Sequence, residues 1–250
     1  MIRVIMHGCM GHMGRVITNL AAAEEQLEIV AGIDPRVSEE MSYPVFPSMD
    51  ACDVEADVVI DFSGAAAVDG LLDACVAKQL PCVLCTTGLS EAQLRKVEEA
   101  SEKVAILRSA NMSVGINLLM KLLEVAAPVL ADAGFDIEIV EKHHNQKLDA
   151  PSGTAIALAD KINETLGNEY HYVYDRSDVR RKRDPKEIGI SAVRGGTIVG
   201  IHDVIFAGQD EVITLNHTAY SKAIFAKGAI QAAKFLAGKP AGLYQMNQVV

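Results

Sequence analysis

The chain has 250 residues, of which 50% are hydrophobic and 22% charged, as is typical of a soluble protein with one large core or two smaller ones. Its formal net charge of -10 argues against nucleic acid or an anionic membrane as a partner, because both would repel it. The first residues lack the pattern of a signal peptide. Lys121 and Glu124 interrupt the apolar run Leu118–Leu130, so no membrane span is predicted.

The five cysteines all lie before residue 86, and their odd number favours reduced thiols over a disulfide framework. A cytoplasmic location is therefore expected. Cys82 and Cys85 form a C-x-x-C, but they lie in an apolar run typical of a buried strand. Alternation along that strand would place them on opposite faces. A redox or zinc role is thus disfavoured, and no metal site is predicted.

The N-terminal part of the chain alternates short β-branched runs with helical patterns. Strands are predicted at Arg3–Met6, Leu27–Ile33, Val58–Asp61, Cys82–Cys85 and Val104–Leu107. Helices are predicted at Gly14–Ala23, Ala66–Lys78 and Glu91–Ser101, the last with Ser90 as its N-cap. Repeated βα units imply a parallel sheet with helices on both faces.

A glycine-rich loop lies between the first predicted strand and the first predicted helix. Its glycines, Gly8, Gly11 and Gly14, follow the spacing G-x-x-G-x-x-G. Glycine lets the backbone turn tightly and approach a pyrophosphate, whose charge is met by N–H groups at the helix N-terminus. The loop and its context predict a Rossmann-type dinucleotide-binding domain.

An acidic residue, Asp34, ends the second predicted strand. A carboxylate there can accept hydrogen bonds from ribose hydroxyls and would repel a 2′-phosphate, which favours NADH over NADPH. Arg36 is close enough in sequence to weaken that preference by pairing with a phosphate. Alternatively, Asp34 before Pro35 is an ordinary turn residue.

Small polar loops follow three other predicted strands, where ligands bind in open α/β sheets. These loops are Asp61–Ser63, Cys85–Gly88 and Ser109–Met112. Hydroxyl and amide side chains there could bind a nicotinamide carboxamide. Taken singly, each loop is equally compatible with a simple turn.

The pattern changes after Asn111–Gly115. Helices are predicted at Ile116–Leu130, Ser152–Leu166 and Lys222–Leu236, and strands at Phe135–His143, Ile190–Val193, Thr197–Phe206 and Glu211–His217. A hairpin signal at Ala207–Asp210 joins the last two strands. We therefore expect an inserted α+β domain with a mixed sheet over residues 114–221, and a dinucleotide-binding domain formed by residues 1–113 and 222–250. The basic run Arg180–Arg183 is expected to be a solvated loop or a subunit contact.

The segment Glu141–Ala155, EKHHNQKLDAPSGTA, concentrates histidines, lysines and an acid before a Pro-Ser-Gly-Thr turn. A lysine beside a histidine can bind an anion and move a proton. A solvated loop after a strand is the simpler alternative for the histidine pair alone.

Together these motifs resemble those of the 4-hydroxy-tetrahydrodipicolinate reductase (dihydrodipicolinate reductase) family of lysine and diaminopimelate biosynthesis. The pattern E-x-H-H-x-x-K-x-D-A-P-S-G-T-A is the family's signature. Further matches occur in order along essentially the whole chain, at the glycine loop, Thr86–Gly88, Ala110–Gly115, Arg194–Gly196 and Gly242–Met246. One departure is His12, which stands where the family usually has arginine. The loss of a permanent cation there should weaken binding of a 2′-phosphorylated cofactor.

The resemblance implies NAD(P)H-dependent reduction of 4-hydroxy-tetrahydrodipicolinate to tetrahydrodipicolinate and water, with NADH preferred or NADPH used. It makes His143 a proton donor or acceptor and Lys147 the proton donor. His144, Gly153 and Thr154 would bind the carboxylates of this small dicarboxylate substrate. It also implies a homo-oligomer, a tetramer assembled through the sheet of the inserted domain. The implied cofactor contacts are Gly8, Cys9, Met10, Gly11, His12, Met13, Asp34, Cys85, Thr86, Thr87, Ser109, Ala110, Asn111 and Met112.

Two other functions are compatible with parts of the sequence. An aspartate- or homoserine-type dehydrogenase would use a similar two-domain architecture, but it has no evident use for the His-His-x-x-Lys segment. A non-catalytic NAD-binding sensor would keep the glycine loop without needing Lys147 near His143.

Overall fold

The computed structural model describes residues 1–36, 41–109, 111–178 and 180–250. The chain forms two compact units. The first comprises Met1–Val114 and Ala223–Val250, and the second comprises Gly115–Lys222. The boundaries expected from the sequence differ from these by one residue.

The first unit is built on a seven-stranded sheet in which every pair of neighbouring strands is parallel. Its strands are β1 (Ile2–His7), β2 (Leu27–Ile33), β3 (Val45–Phe46), β4 (Val58–Asp61), β5 (Cys82–Leu84), β6 (Ala105–Arg108) and β12 (Gly242–Tyr244). The strand order is β12-β6-β5-β4-β1-β2-β3. The direction of winding therefore reverses beside β1, and a doubly wound sheet binds ligands at the carboxyl ends of the strands near such a point.

Four helices cover the two faces of this sheet, as the repeated βα pattern predicted. They are α1 (His12–Ala21), α2 (Ala65–Lys78), α3 (Glu91–Ser101) and α6 (Ala223–Leu236). One core contains Ile17 of α1 and Ala229 of α6, whereas the other contains Leu71 of α2 and Val97 of α3.

The structure agrees with two predictions for this unit, the positions of Cys82 and Cys85 and the N-cap of α3. Cys82 lies in one core and Cys85 packs against the other, and all five cysteines are free thiols. Ser90 caps α3 through a capping box, in which its hydroxyl accepts from Gln93 N at 3.3 Å and its own N–H donates to Gln93 Oε1 at 3.1 Å.

The second unit contains a five-stranded mixed sheet and one layer of helices. Its strands are β7 (Asp136–His143), β8 (His171–Val173), β9 (Glu187–Arg194), β10 (Gly200–Ala207) and β11 (Val212–Ala219), in the order β11-β10-β7-β9-β8. The helices are α4 (Val114–Asp132) and α5 (Gly153–Thr165). Strands β10 and β11 form the predicted hairpin, closed by a hydrogen bond of 2.8 Å from Gly208 N to Glu211 O.

Helix α4 corrects one prediction. Its 19 residues have a mean hydropathy of 1.7 in the most apolar window, which is enough by length and composition to cross a membrane. Lys121 and Glu124 do not outweigh the many aliphatic residues of this helix. Leu119, Leu123 and Ala127 of α4 pack into the core of the second unit, and 28% of the apolar window is buried.

Two further features were not anticipated. Strands β3, β8 and β12 have only two or three residues each, too few to produce a periodic signal. Arg183 is not a solvated loop residue, because its guanidinium donates to Asp136 Oδ1 at 2.8 Å, Ile137 O at 2.8 Å and Glu187 O at 2.5 Å. It thereby links the starts of the neighbouring strands β7 and β9.

Candidate active site

The glycine loop of the first unit is shaped by two close backbone contacts. Gly8 has φ of +82°, and a Cβ atom there would lie 2.5 Å from Phe62 O. A Cβ atom on Gly14 would lie 2.3 Å from Gly8 O. Since no side chain can be accommodated at either position, the loop packs tightly between β1 and α1.

The N-terminus of α1 is suited to an anion. Gly11 occupies the N-cap position without a capping side chain, and the first turn contains no acidic residue. The first N–H groups of the helix are thus left for a ligand, and the helix dipole favours a negative charge there. Met13 lies in this first turn with the exposed His12, whereas Cys9 is buried in the loop. Burial raises the pKa of the Cys9 thiol to about 11, so this thiol is unreactive near neutral pH.

Asp34 lies directly after β2 and is only 5% exposed. Its carboxylate accepts from Met10 N at 3.2 Å, Arg36 N at 3.0 Å and Arg36 Nε at 3.1 Å. Burial opposes its ionisation, but the hydrogen bonds from Arg36 and Met10 hold its pKa below the usual value. The structure therefore pairs Asp34 with Arg36, which reduces the repulsion that an isolated carboxylate would exert on a 2′-phosphate.

A cleft of about 390 Å³ opens at the carboxyl ends of β1, β2 and β4. Among the predicted cofactor residues, Gly8, Gly11 and Asp34 line it. Arg36, expected near a cofactor phosphate, and Phe62 and Ser63 of the predicted loop Asp61–Ser63 also line it, whereas His7 was not among the predicted site residues. A polar side chain at the end of a first strand would have been the signal for His7.

The loops after β5 and β6 contain the other predicted cofactor residues. Thr86 is buried and donates its hydroxyl to Asp61 Oδ2 at 2.6 Å, whereas Thr87 is exposed and Cys85 is half-buried. Beyond β6, three residues stabilise a turn: Ser109 Oγ donates to Asn111 O at 3.1 Å, and Ser113 N donates to Asn111 Oδ1 at 2.8 Å. Met112 is buried beside this turn, and Ala110 lies outside the described residues.

In the second unit, alternation along β7 places Glu141 and His143 on the same buried face as Ile137 and Ile139. Glu141 is completely buried, and its Oε2 atom lies 2.6 Å from His143 Nδ1. Because a buried carboxylate requires donors, we assign the proton of this bond to His143 Nδ1.

Three more hydrogen bonds complete the surroundings of Glu141. Arg194, at the end of β9, donates from Nη1 to Oε2 at 2.7 Å and from Nη2 to Oε1 at 2.6 Å. Ser152 N donates to Oε1 at 2.9 Å. Burial opposes ionisation of Glu141, but these donors, Arg194 first, hold its pKa below the usual value. Glu141 is therefore an anion that joins β7, β9 and the start of α5.

The loop between β7 and α5 contains the remaining predicted residues. Lys147 Nζ lies 2.8 Å from Asp149 Oδ1. This bond, together with backbone N–H groups that include Gly153 N, lowers the pKa of Asp149. Gly153 and Thr154 form the first turn of α5, which Ser152 caps by accepting from Ala155 N at 3.2 Å. The structure thus brings together Lys147 and the helix N-terminus, and His144 lies half-buried in the same loop.

His202, on β10, was not predicted as a site residue. His202 is 4% exposed, its ring is 5.2 Å from that of His143, and its Nε2 atom lies 3.0 Å from Ser152 Oγ. Burial, reinforced by the nearby His143, lowers the pKa of His202 to about 4, so this imidazole is neutral at pH 7. Across the described ranges, no group of three His, Cys, Asp or Glu side chains is arranged to hold a metal ion.

The first unit has the doubly wound sheet and glycine loop of a dinucleotide site, and the second has a histidine and a lysine near the N-terminus of a helix. These features define a dinucleotide-dependent oxidoreductase. Two family models cover almost the whole chain: "Dihydrodipicolinate reductase, N-terminus" matches residues 2–112, and "Dihydrodipicolinate reductase, C-terminus" matches residues 115–250. The chain belongs to the dihydrodipicolinate reductase family.

Individual relatives agree with this membership. The chain is 53% identical over 250 residues to 4-hydroxy-tetrahydrodipicolinate reductase of Caldanaerobacter subterraneus subsp. tengcongensis, covering 100% of this chain and 98% of the relative. It is 48% identical over 248 residues to the enzyme of the same name from Clostridium tetani, covering 99% and 96%. The predicted family and reductase activity are confirmed.

Solved structures agree on the fold. The dipicolinate-bound dihydrodipicolinate reductase from Paenisporosarcina sp. TG-14 superimposes with a TM-score of 0.83 at 27% identity, covering 100% of both chains. An aspartate dehydrogenase from Thermotoga maritima is 13% identical with a TM-score of 0.51, covering 96% of this chain and 98% of that chain. At that identity the second likeness shows the fold alone. The predicted fold class, a Rossmann-type domain with an inserted α+β domain, is confirmed.

Proposed function

We propose that the chain reduces 4-hydroxy-tetrahydrodipicolinate to tetrahydrodipicolinate and water in lysine and diaminopimelate biosynthesis, with His143 and Lys147 transferring protons. Relatives at 53% and 48% identity bear the name of this reaction. The residue assignment is carried by one observation, the 2.6 Å hydrogen bond between His143 Nδ1 and the buried, ionised Glu141. NAD(P)H, when bound, supplies a hydride to ring C4 of the substrate after water is lost.

His143 is suited to exchange a proton through its second ring nitrogen. Because Nδ1 donates to Glu141, Nε2 is the atom that can give or take a proton. A Cβ atom on Gly200 would lie 3.2 Å from that Nε2 atom. Glycine at position 200 therefore leaves this side of the ring open. Hydride addition to ring C4 moves negative charge towards the ring nitrogen, so a proton donor must lie close to that charge.

The loop before α5 offers cationic and N–H groups for the two substrate carboxylates. Lys147 and Gly153 N both interact with the exposed Asp149 carboxylate, so they already bind an anion of the expected kind. A Cβ atom on Gly153 would meet nothing within 4 Å, which means that packing within the unit does not require glycine. A closely approaching ligand gives a reason for it. We assign His144, Gly153 and Thr154 to carboxylate binding and Lys147 to protonation.

The residues of the first unit fit a dinucleotide. The uncapped start of α1 can bind the pyrophosphate, and the cleft beside Asp34 can receive the adenosine half. We assign Gly8–Met13, Cys85–Thr87 and Ser109–Met112 to the same cofactor, as the family motifs imply.

NADH is proposed as the preferred cofactor. The affinity for NADH should exceed that for NADPH only modestly, because Arg36 pairs with Asp34. Titration calorimetry of Asp34→Ala should show weaker NADH binding and relatively better NADPH binding. Asp73→Ala, on the surface of α2, is the control. An unchanged ratio of the two affinities would remove Asp34 from cofactor selection.

A homotetramer in the cytoplasm is proposed for the assembled protein. The five free thiols fit a reducing compartment. Strand β11 lies at an edge of its sheet, and Val212 on it is 62% exposed, which is typical of a strand that associates with another chain. Light scattering should give four times the 26.8 kDa chain mass, and Val212→Lys should lower the measured mass. A monomeric wild type would contradict the tetramer.

The reaction is tested by following NADH oxidation with the cyclic imine formed in situ from pyruvate and aspartate semialdehyde by the preceding synthase. Lys147→Ala should lower kcat about 100-fold or more and leave the Kd for NADH unchanged. Lys186→Ala, an exposed lysine of the same unit, should behave like the wild type. Turnover of aspartate instead of the imine would favour the dehydrogenase alternative. NADH binding without any turnover would favour the sensor.

A further inference from the structure

A buried carboxylate in the first unit has no role in the proposed reaction. Asp61, the last residue of β4, is completely buried at the carboxyl edge of the sheet. Its Oδ1 atom lies 2.6 Å from His7 Nδ1 and accepts from Ser63 N at 3.2 Å, while Oδ2 accepts from Thr86 Oγ1 at 2.6 Å. Burial opposes its ionisation, but these donors, His7 first, lower its pKa. Asp61 is therefore a buried anion that connects the ends of β1 and β4 to the loop after β5.

This anion determines the orientation of the His7 ring. A carboxylate that already receives Ser63 N and Thr86 Oγ1 can only accept from His7, so Nδ1 carries a proton whether the ring is neutral or charged. The Nε2 atom is then the ring nitrogen available to a ligand. Since Asp61 and His7 end adjacent strands in register, this orientation is set by the sheet itself.

The position of His7 relates it to the nucleotide. It lines the cleft that also contains Gly8, Gly11, Asp34 and Arg36. The glycines border the expected pyrophosphate position, and Asp34 and Arg36 border the expected ribose position. A donor or acceptor on this wall would face polar groups of the adenosine half, whereas a histidine with only a packing role has no need to contact the cleft.

We propose that His7 is a binding residue for the adenosine diphosphate half of the dinucleotide, held by Asp61 so that its Nε2 atom hydrogen-bonds the ligand. This inference deepens the proposed function, because it rests on the first unit being a dinucleotide site. It assigns Asp61 a positioning role, since Asp61 does not need to touch the ligand for His7 to be oriented.

The substitution His7→Asn distinguishes a ligand-binding role of His7 from a purely structural one. The Asn side chain places an amide donor where Nδ1 was, so it keeps a hydrogen bond to Asp61 but has no atom at the position of Nε2. His171→Asn, at an exposed position of β8 in the second unit, is the matched control. Calorimetry on the full chain measures Kd for ADP and, separately, for nicotinamide mononucleotide, and a thermal melt checks folding.

We expect the Kd for ADP to rise about fivefold in His7→Asn, the effect of one lost hydrogen bond, with the Kd for the mononucleotide and the melting temperature unchanged. Imidazole ¹⁵N spectra of the wild type give a second measurement. On addition of ADP, the Nε2 signal of His7 should shift while its Nδ1 signal stays that of a protonated nitrogen.

Two results would overturn the inference. One is an unchanged Kd for ADP in His7→Asn together with an unshifted Nε2 signal in the wild type. The other is an equal loss of affinity for both ligands with a lower melting temperature, because that pattern belongs to a purely structural residue. If the wild type binds neither ADP nor NADH, the dinucleotide site itself fails, and that result is distinct from the first two.

Discussion

The substitution Glu141→Gln tests the arrangement around His143. Each oxygen of Glu141 accepts two hydrogen bonds, Oε2 from His143 Nδ1 and Arg194 Nη1, and Oε1 from Arg194 Nη2 and Ser152 N. Glutamine has one acceptor oxygen and one NH₂ group, so in either orientation the NH₂ group faces an Arg194 donor. The substitution keeps the volume but removes the charge and at least one acceptor.

The expected cost in stability follows from burial. Removing one partner of a buried ion pair costs about 3–5 kcal/mol, and the lower end applies because Arg194 also donates to Val193 O and Asp149 O. At about 2–4 °C per kcal/mol, the melting temperature should fall by roughly 6–12 °C. If the amide NH₂ faces His143, the ring proton moves to Nε2 and proton transfer is impaired. We then expect kcat to fall about 100-fold, with KM less affected.

The assay combines steady-state NADH oxidation with a thermal melt. Glu169→Gln is the control, because Glu169 forms an exposed, solvent-screened ion pair with Lys186 and should leave the melting temperature nearly unchanged. A Glu141→Gln enzyme that melts lower but keeps its kcat would show that Glu141 supports the fold without orienting His143. If both quantities are unchanged, the hydrogen bonds assigned to Glu141 are wrong.

Three further outcomes are expected. His202 has a pKa of about 4 in the folded protein, below the ordinary value near 6.5. Between these two pH values the unfolded chain takes up a proton that the folded protein does not. The free energy of unfolding should therefore fall by roughly 3 kcal/mol as the pH decreases from 6.5 to 4. His202→Gln should remove that part of the pH dependence in melts from pH 7.5 to 4.5, and an unaltered slope would contradict it. Gly228→Ala should lower the melting temperature and weaken NADH binding, because the new Cβ atom would lie 1.6 Å from Met112 O, beside the predicted nicotinamide loop. A variant with the wild-type melting temperature and NADH affinity would refute this close contact. Ser90→Ala should cost about 1 kcal/mol in urea unfolding through loss of the α3 cap, whereas no change would mean that the capping box is not formed in solution.

Local patterns predicted a large part of the fold. Strands such as Leu27–Ile33 and Val58–Asp61 and the helix Glu91–Ser101 have the predicted bounds, because apolar periodicity and a capping residue act over a few neighbouring positions. Helix α1 begins two residues earlier than predicted, at His12, since Gly11 rather than a polar side chain occupies its N-cap. Strands β3, β8 and β12 were missed because pairing with a neighbouring strand, not their own sequence, makes them strands.

The sequence by itself determined the family, the two-part organisation and the identity of the residues proposed to react. Glycine spacing and the His-His-x-x-Lys segment are contiguous, so they can be recognised without knowing what lies nearby in space. Tertiary structure alone decided which groups hold those residues. Arg194 reaches Glu141 from 53 positions away, His7 meets Asp61 from 54 positions away, and Arg36 turns onto Asp34. Such pairs depend on strand register and loop conformation, and these arise from packing of the whole unit rather than from any local pattern.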